Sequence, residues 1–160
     1  MESLAATCKQ TAIGGMERFL RTLSFVPEDK TTWSPAPTAK NALQIAAHTA
    51  VTAGFFAQLI RDGKFPSGDM QEMFGAMAAA EAAVTNRQAA IDLLKKNTDA
   101  IVAALDAATP ELIGKMLPTP FGSEMPMAFF MNLPGVHAQV HGSQIDYLQT
   151  CWGDMDPHMG

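Results

Sequence analysis

Four histidines carry most of the chemistry available to this chain: His48, His137, His141 and His158. His137 and His141 stand four residues apart in the run H-A-Q-V-H, a spacing that stacks two imidazoles one turn apart on one helix face. At about 100° per residue the same face carries Phe130, Leu133, Gln144 and Leu148, so both rings point into a packed interior. His48 falls mid-helix on the side shared by Ile45, Thr52, Phe55 and Leu59. Three inward imidazoles from two helices make a three-nitrogen set with positions left for water or substrate, the arrangement that metal catalysis uses. Imidazoles suit zinc, nickel, iron or copper, so donor softness alone does not choose the ion. The same residues also admit a metal-free reading, as core histidines satisfied by carbonyls or a carboxylate. Few carboxylates are placed to pair with them, which favours the metal.

The other candidates are weaker. H-A-Q-V-H lacks the glutamate of HExxH and so brings no general base of its own. Gln144, one turn beyond His141, can hold a ligand or simply make a core hydrogen bond. Asp146 falls on the opposite helix face, toward solvent. Trp33 reads as a loop anchor or as the roof of a pocket. Met70, Met73, Met77, Met127 and Met131 read as gap-filling core residues, or as the lining of a substrate pocket. His158 sits in a tail. No catalytic side chain is assigned.

The elements that must position these residues are helices. Leu4, Cys8, Ala12, Met16, Phe19, Leu20 and Leu23 recur at three- and four-residue steps and predict a helix over 2–24, weakened locally by Gly14 and Gly15. Pro27 ends it, and a loop from Phe25 to Pro37 holds three prolines and Trp33. Thr38 is the expected N-cap of a second helix over 39–62, with Gly63 at its C-terminal end. A third helical region runs from about Asp69 to about Ala107, with any interruption near Gly75. Thr109 to Gly122 reads as irregular. A last helix over 126–152 passes through Pro134, either continuing with a kink or restarting there; the kinked helix is the preferred reading. The tail 153–160 is expected to fray. Four long helices in one domain over 1–160 predict an all-α, antiparallel up-down-up-down four-helix bundle. That topology brings Cys8 and Cys151 to one end, as thiols rather than a disulfide.

Composition narrows the function classes. The chain has 160 residues, 48 % of them hydrophobic and 17 % charged, enough to bury a core without disulfides or a structural metal. Eleven basic against sixteen acidic residues leave a net charge of −5, which lacks the footprint of a nucleic-acid binder. Two cysteines point to reduced thiols in a cytoplasm. The first ten residues show no signal-peptide pattern. Residues 41–60 and 125–145 are free of charge, but their polar residues suit bundle interiors better than a bilayer.

Three segments together resemble a known family over nearly the whole chain. These are W-S-P-A-P-T from Trp33 to Thr38, I-A-A-H from Ile45 to His48, and H-A-Q-V-H-G-S-Q from His137 to Gln144, followed by Tyr147-Leu148. The family is the DinB-like, or YfiT-like, superfamily of metal-dependent helical bundles. The resemblance implies that His48, His137 and His141 ligate a divalent metal, zinc or nickel first, with iron or manganese next. It also implies a small-molecule substrate and a homodimer, while charge and composition point to no nucleic-acid or membrane partner. Relatives include thiol-dependent transferases and isomerases that use a low-molecular-weight thiol, and proteins described as hydrolases. A rival expectation is a non-catalytic, metal-binding or stress-related bundle. Where many relatives carry Arg-Gly, this chain has Gly142-Ser143, so no arginine role is carried over.

Overall fold

The computed structural model describes residues 3–158. Helix α1 spans Leu4–Ser24, with Ser3 accepting the Ala6 N–H as its N-cap. Helix α2 spans Ala42–Asp62; Asn41 and Gln44 form a reciprocal capping box, and Gly63 closes it with φ of 61°, the left-handed conformation glycine adopts without strain. Helix α3 spans Met70–Ala82 and α4 spans Arg87–Asp106, each capped by the preceding Asp69 or Asn86. After the short helix α5, Pro110–Ile113, strands β1 (Met116–Pro118) and β2 (Glu124–Pro126) pair antiparallel and lead into α6, Met127–Cys151.

The second helix therefore starts at an Asn41 cap rather than at Thr38. The third helical region is two helices, and the break falls at Ala83–Asn86 instead of Gly75. Gly75 is exposed, with nothing within 4 Å of where a Cβ would stand. It costs some propensity but forces no turn, whereas Asn86 offers its side chain to the Ala89 N–H and starts a new helix. The stretch expected to be irregular holds α5 and β1. Helix α6 runs unbroken through Pro134 and does not restart there.

That break changes the topology. Helix α3 runs back along α2, from Met73, which shares a cavity lining with Phe55, to Glu81 beside His48. Helix α4 then descends parallel to α2: Asn97 Nδ2 donates to the Ala50 carbonyl, while Ala57, Ile60 and Arg61 face Ala100, Ala104 and Ala107. It is antiparallel to α1, tied by Lys9–Asp106 at 2.6 Å near one end and by Arg87 to the Val26 carbonyl near the other. Helix α6 is antiparallel to α2, because His48 meets His141 while Phe56 meets His137. It is parallel to α1, since Gly15 packs on Gly135 and Phe19 on Gly142. The long helices thus run up-down-down-up, not up-down-up-down, and the α3 return is the physical reason. Cys8 and Cys151 consequently lie toward opposite ends of a parallel pair; Cys8 is buried, Cys151 is exposed, and both are free.

The core between these helices is fully buried at Phe19, Leu23, Leu59, Leu94, Ile101, Met131 and Ile145. Among the described residues, α2 is the one helix long and apolar enough to cross a membrane, and 61 % of its most apolar stretch lies inside the bundle. Trp33 meets Trp152 edge-on, with ring centroids 5.7 Å apart, and anchors its loop to the end of α6. The tail, expected to fray, is held over its described part: His158 stacks on Phe25 at 4.0 Å and bonds Asp154.

Candidate metal centre

The bundle brings His48, His137 and His141 together. One donor atom from each lies within 4.8 Å of the other two. The capping box sets the start of α2 two turns before His48. Helix α6 carries the other pair one turn apart, with Nε2 atoms 3.1 Å from each other. Two nitrogens bound to one tetrahedral ion at 2.0–2.1 Å stand about 3.3 Å apart, so this pair needs little adjustment. His158 stays outside the cluster, paired with Asp154.

The partners of the outer ring nitrogens decide which lone pairs face inward. Glu81 Oε1 sits 2.7 Å from His48 Nδ1. A carboxylate only accepts, so Nδ1 carries a proton there, which leaves Nε2 as the nitrogen available to a metal. Gln144 Oε1 does the same for His141 Nδ1, also at 2.7 Å, leaving the Nε2 that faces His137 as an acceptor. Burial pushes His137 down to about 3, helped by the charges of His141 and His48. Burial also lowers His141, partly offset by its bond to Gln144. Both rings are therefore neutral near pH 7, the state a metal ligand requires.

Three imidazole nitrogens, two of the rings held by outer hydrogen bonds at Nδ1, converge on one point and fit a divalent ion. Thr52 adds a further observation. It lies one turn after His48 and one turn before Phe56, whose ring meets His137 at 5.7 Å, and its buried hydroxyl has no partner. Beside the site, between the start of α2 and the end of α3, is a cavity of about 440 Å³ lined by Lys40, Gln44, Ala47 and Glu81. Lys40 Nζ stands 3.8 Å from the second oxygen of Glu81.

Sequence reading missed Glu81, and the expectation that few carboxylates reach these histidines needs correction on that account. The available signal was slight: Glu81 extends the Met73–Met77 stripe by one more four-residue step, which turns it toward α2. Gln144 holds the His141 ring through a hydrogen bond at Nδ1. Trp33 is the anchor of its loop. Met127 and Met131 fill the core, while Met73 and Met77 line a cavity of about 310 Å³ between α2 and α3.

Residues 15–145 match the family profile described as the DinB superfamily. The chain belongs to that superfamily. Its fold is similar to that of a crystal structure of the mycothiol-dependent maleylpyruvate isomerase, with a TM-score of 0.70, 14 % identity and 91 % of this chain covered. The DinB-superfamily chain spans 63 % of the length of that isomerase. It is also similar to YjoA, a DinB-like protein from Bacillus subtilis, with a TM-score of 0.67, 18 % identity, and 94 % and 95 % of the two chains covered. No individually curated protein matches the sequence.

Proposed function

We propose that this DinB-superfamily protein is a cytoplasmic, metal-dependent enzyme that brings a low-molecular-weight thiol to a small electrophilic substrate, as a transferase or isomerase. The observation that carries the reading is the set of inward imidazole lone pairs aligned by Glu81 and Gln144. The fold shared with a mycothiol-dependent isomerase supports the thiol. The two unpaired cysteines agree with a reducing compartment.

His48, His137 and His141 would hold a divalent ion, which would supply a lowered pKa to a thiol or water bound to it. The chain's own residues do the rest. Glu81 and Gln144 fix the orientation and tautomer of two rings, so that little rearrangement accompanies binding. The Thr52 hydroxyl, one helical turn from His48, is buried and without a partner, and Lys40 places a positive charge in the adjoining cavity. With three protein donors in the cluster, coordination positions remain for thiol or substrate.

Elemental mass spectrometry on protein purified without added metal, next to His48→Ala, tests the site. About one equivalent in the parent and little in the variant supports it; no metal in either, even after reconstitution, overturns it. Cobalt-loaded protein then tests the thiol. A new thiolate-to-cobalt absorption band on adding a small thiol supports the transferase or isomerase reading. A spectrum indifferent to thiols transfers the assignment to a hydrolase or a non-catalytic metal protein.

A further inference from the structure

The cavity of about 440 Å³ between the start of α2 and the end of α3 offers hydrogen-bond donors that the bundle leaves unused. Among the described residues, Lys40 Nζ has an ion-pair partner in Glu81 Oε2, but at 3.8 Å the two are beyond hydrogen-bond length. Gln44 lines the same cavity, and the capping box fixes what it presents. Its Oε1 accepts the Asn41 N–H at 3.0 Å, so the group left for the cavity is the NH2, a donor. Lys40 stands one residue before that N-cap, where the positive end of the α2 dipole adds to its charge.

Glu81 sets how much negative charge the cavity accepts. Its Oε1 is committed to His48 Nδ1 at 2.7 Å, and its carboxylate forms part of the cavity wall. Lys40 and Glu81 sum to zero charge. A ligand carboxylate that draws Lys40 to itself adds one negative charge and leaves the Glu81–His48 bond intact. A phosphate dianion would add two, beside a carboxylate that is already there. The wall at Ala47, Ala78 and Val84 is apolar and suits a short hydrocarbon body, and the volume fits a small organic molecule.

We infer that this cavity holds the carboxylate end of a substrate, with Lys40 and the Gln44 amide as its donors, and so selects a short monocarboxylate for the metal centre. The inference rests on the reading of the histidine cluster as a thiol-dependent metal centre. Glu81 joins the two, since it lines the cavity and holds His48. Lys40 is here a specificity-determining residue that touches no reacting bond. The carboxylate belongs either to the thiol or to the electrophile.

Saturation-transfer NMR on the full-length protein as purified tests the subsite, with butyrate as the probe. Butyrate should bind the parent at least about tenfold more tightly than the neutral butyramide. Lys40→Gln, folded by circular dichroism, should lose that preference, and Lys40→Arg should keep it. A parent indifferent to the charge, a Lys40→Gln protein as selective as the parent, or inorganic phosphate competing as well as a second monocarboxylate overturns the proposal. Cobalt-loaded protein then separates the two sources. Tighter binding of 3-mercaptopropionate than of 2-mercaptoethanol, lost in Lys40→Gln, puts the carboxylate on the thiol. Equal binding of the two thiols, with butyrate binding beside them, puts it on the electrophile. Selective butyrate binding in a protein whose cobalt spectrum ignores both thiols overturns the thiol reading and leaves the carboxylate site standing. A thiolate band without selective butyrate binding does the reverse.

Discussion

Glu81 on α3 accepts a hydrogen bond from His48 on α2 at 2.7 Å, joining two residues 33 positions apart in the chain. The contact fixes one ring of the histidine cluster from a helix that contributes no donor to it. Removing it with Glu81→Ala is expected to leave the three imidazoles in place but to weaken metal binding by about 10- to 100-fold. Glu81→Gln, which keeps an amide oxygen for Nδ1–H, should recover part of that loss. Competition against a chromophoric chelator measures both. Equal affinity in all three proteins would show that Glu81 does not orient His48.

The titration of His137 sets a pH dependence for the metal-free protein. Burial holds this ring down to about 3 against an ordinary 6.5. Between these values the unfolded chain binds a proton that the folded chain refuses, so stability falls as pH drops from about 6.5 toward 3 and recovers as it rises. His141, lowered in the same direction, adds to the slope. Denaturant midpoints across this range should fall with pH, and His137→Ala should flatten the curve. An unchanged slope in that variant would contradict the assignment.

Adjacent glycines in α1 are expected to respond in opposite ways. A Cβ at Gly15 would stand 2.5 Å from the Gly135 carbonyl oxygen, so Gly15→Ala must push α1 and α6 apart. The expected net loss is about 1–3 kcal/mol. Gly14 is exposed with nothing within 4 Å, and Gly14→Ala should gain up to about 1 kcal/mol from helix propensity alone. Chemical denaturation of both variants separates the close crossing from intrinsic helix preference.

Thiol reactivity reports the parallel sense of α1 and α6. The exposed Cys151 should react promptly with a thiol reagent in the native protein, while Cys8 reacts only on unfolding. Burial also raises the Cys8 pKa, which slows it further. Formation of an intramolecular disulfide under mild oxidation would place the two cysteines together and contradict the topology.

The pairing of His137 and His141 was legible in the sequence because their i, i+4 spacing puts both rings on one helix face wherever that helix packs. The caps at Gly63 and the continuity of α6 through Pro134 were equally local, each resting on the conformational preference of one residue. Tertiary structure decided the direction of the helices. A break at Ala83–Asn86 leaves only a weak signal, since Asn86 can cap a helix or sit in one, and the choice depends on α3 finding α2 to return along. Helix α3 is rich in alanine and buries little beyond Met73, so its pattern declares no strong inward face. Glu81 could not be assigned until that helix was placed. Periodicity reports which face of a helix is buried, but a partner that is distant in sequence appears only when the fold brings the two helices side by side.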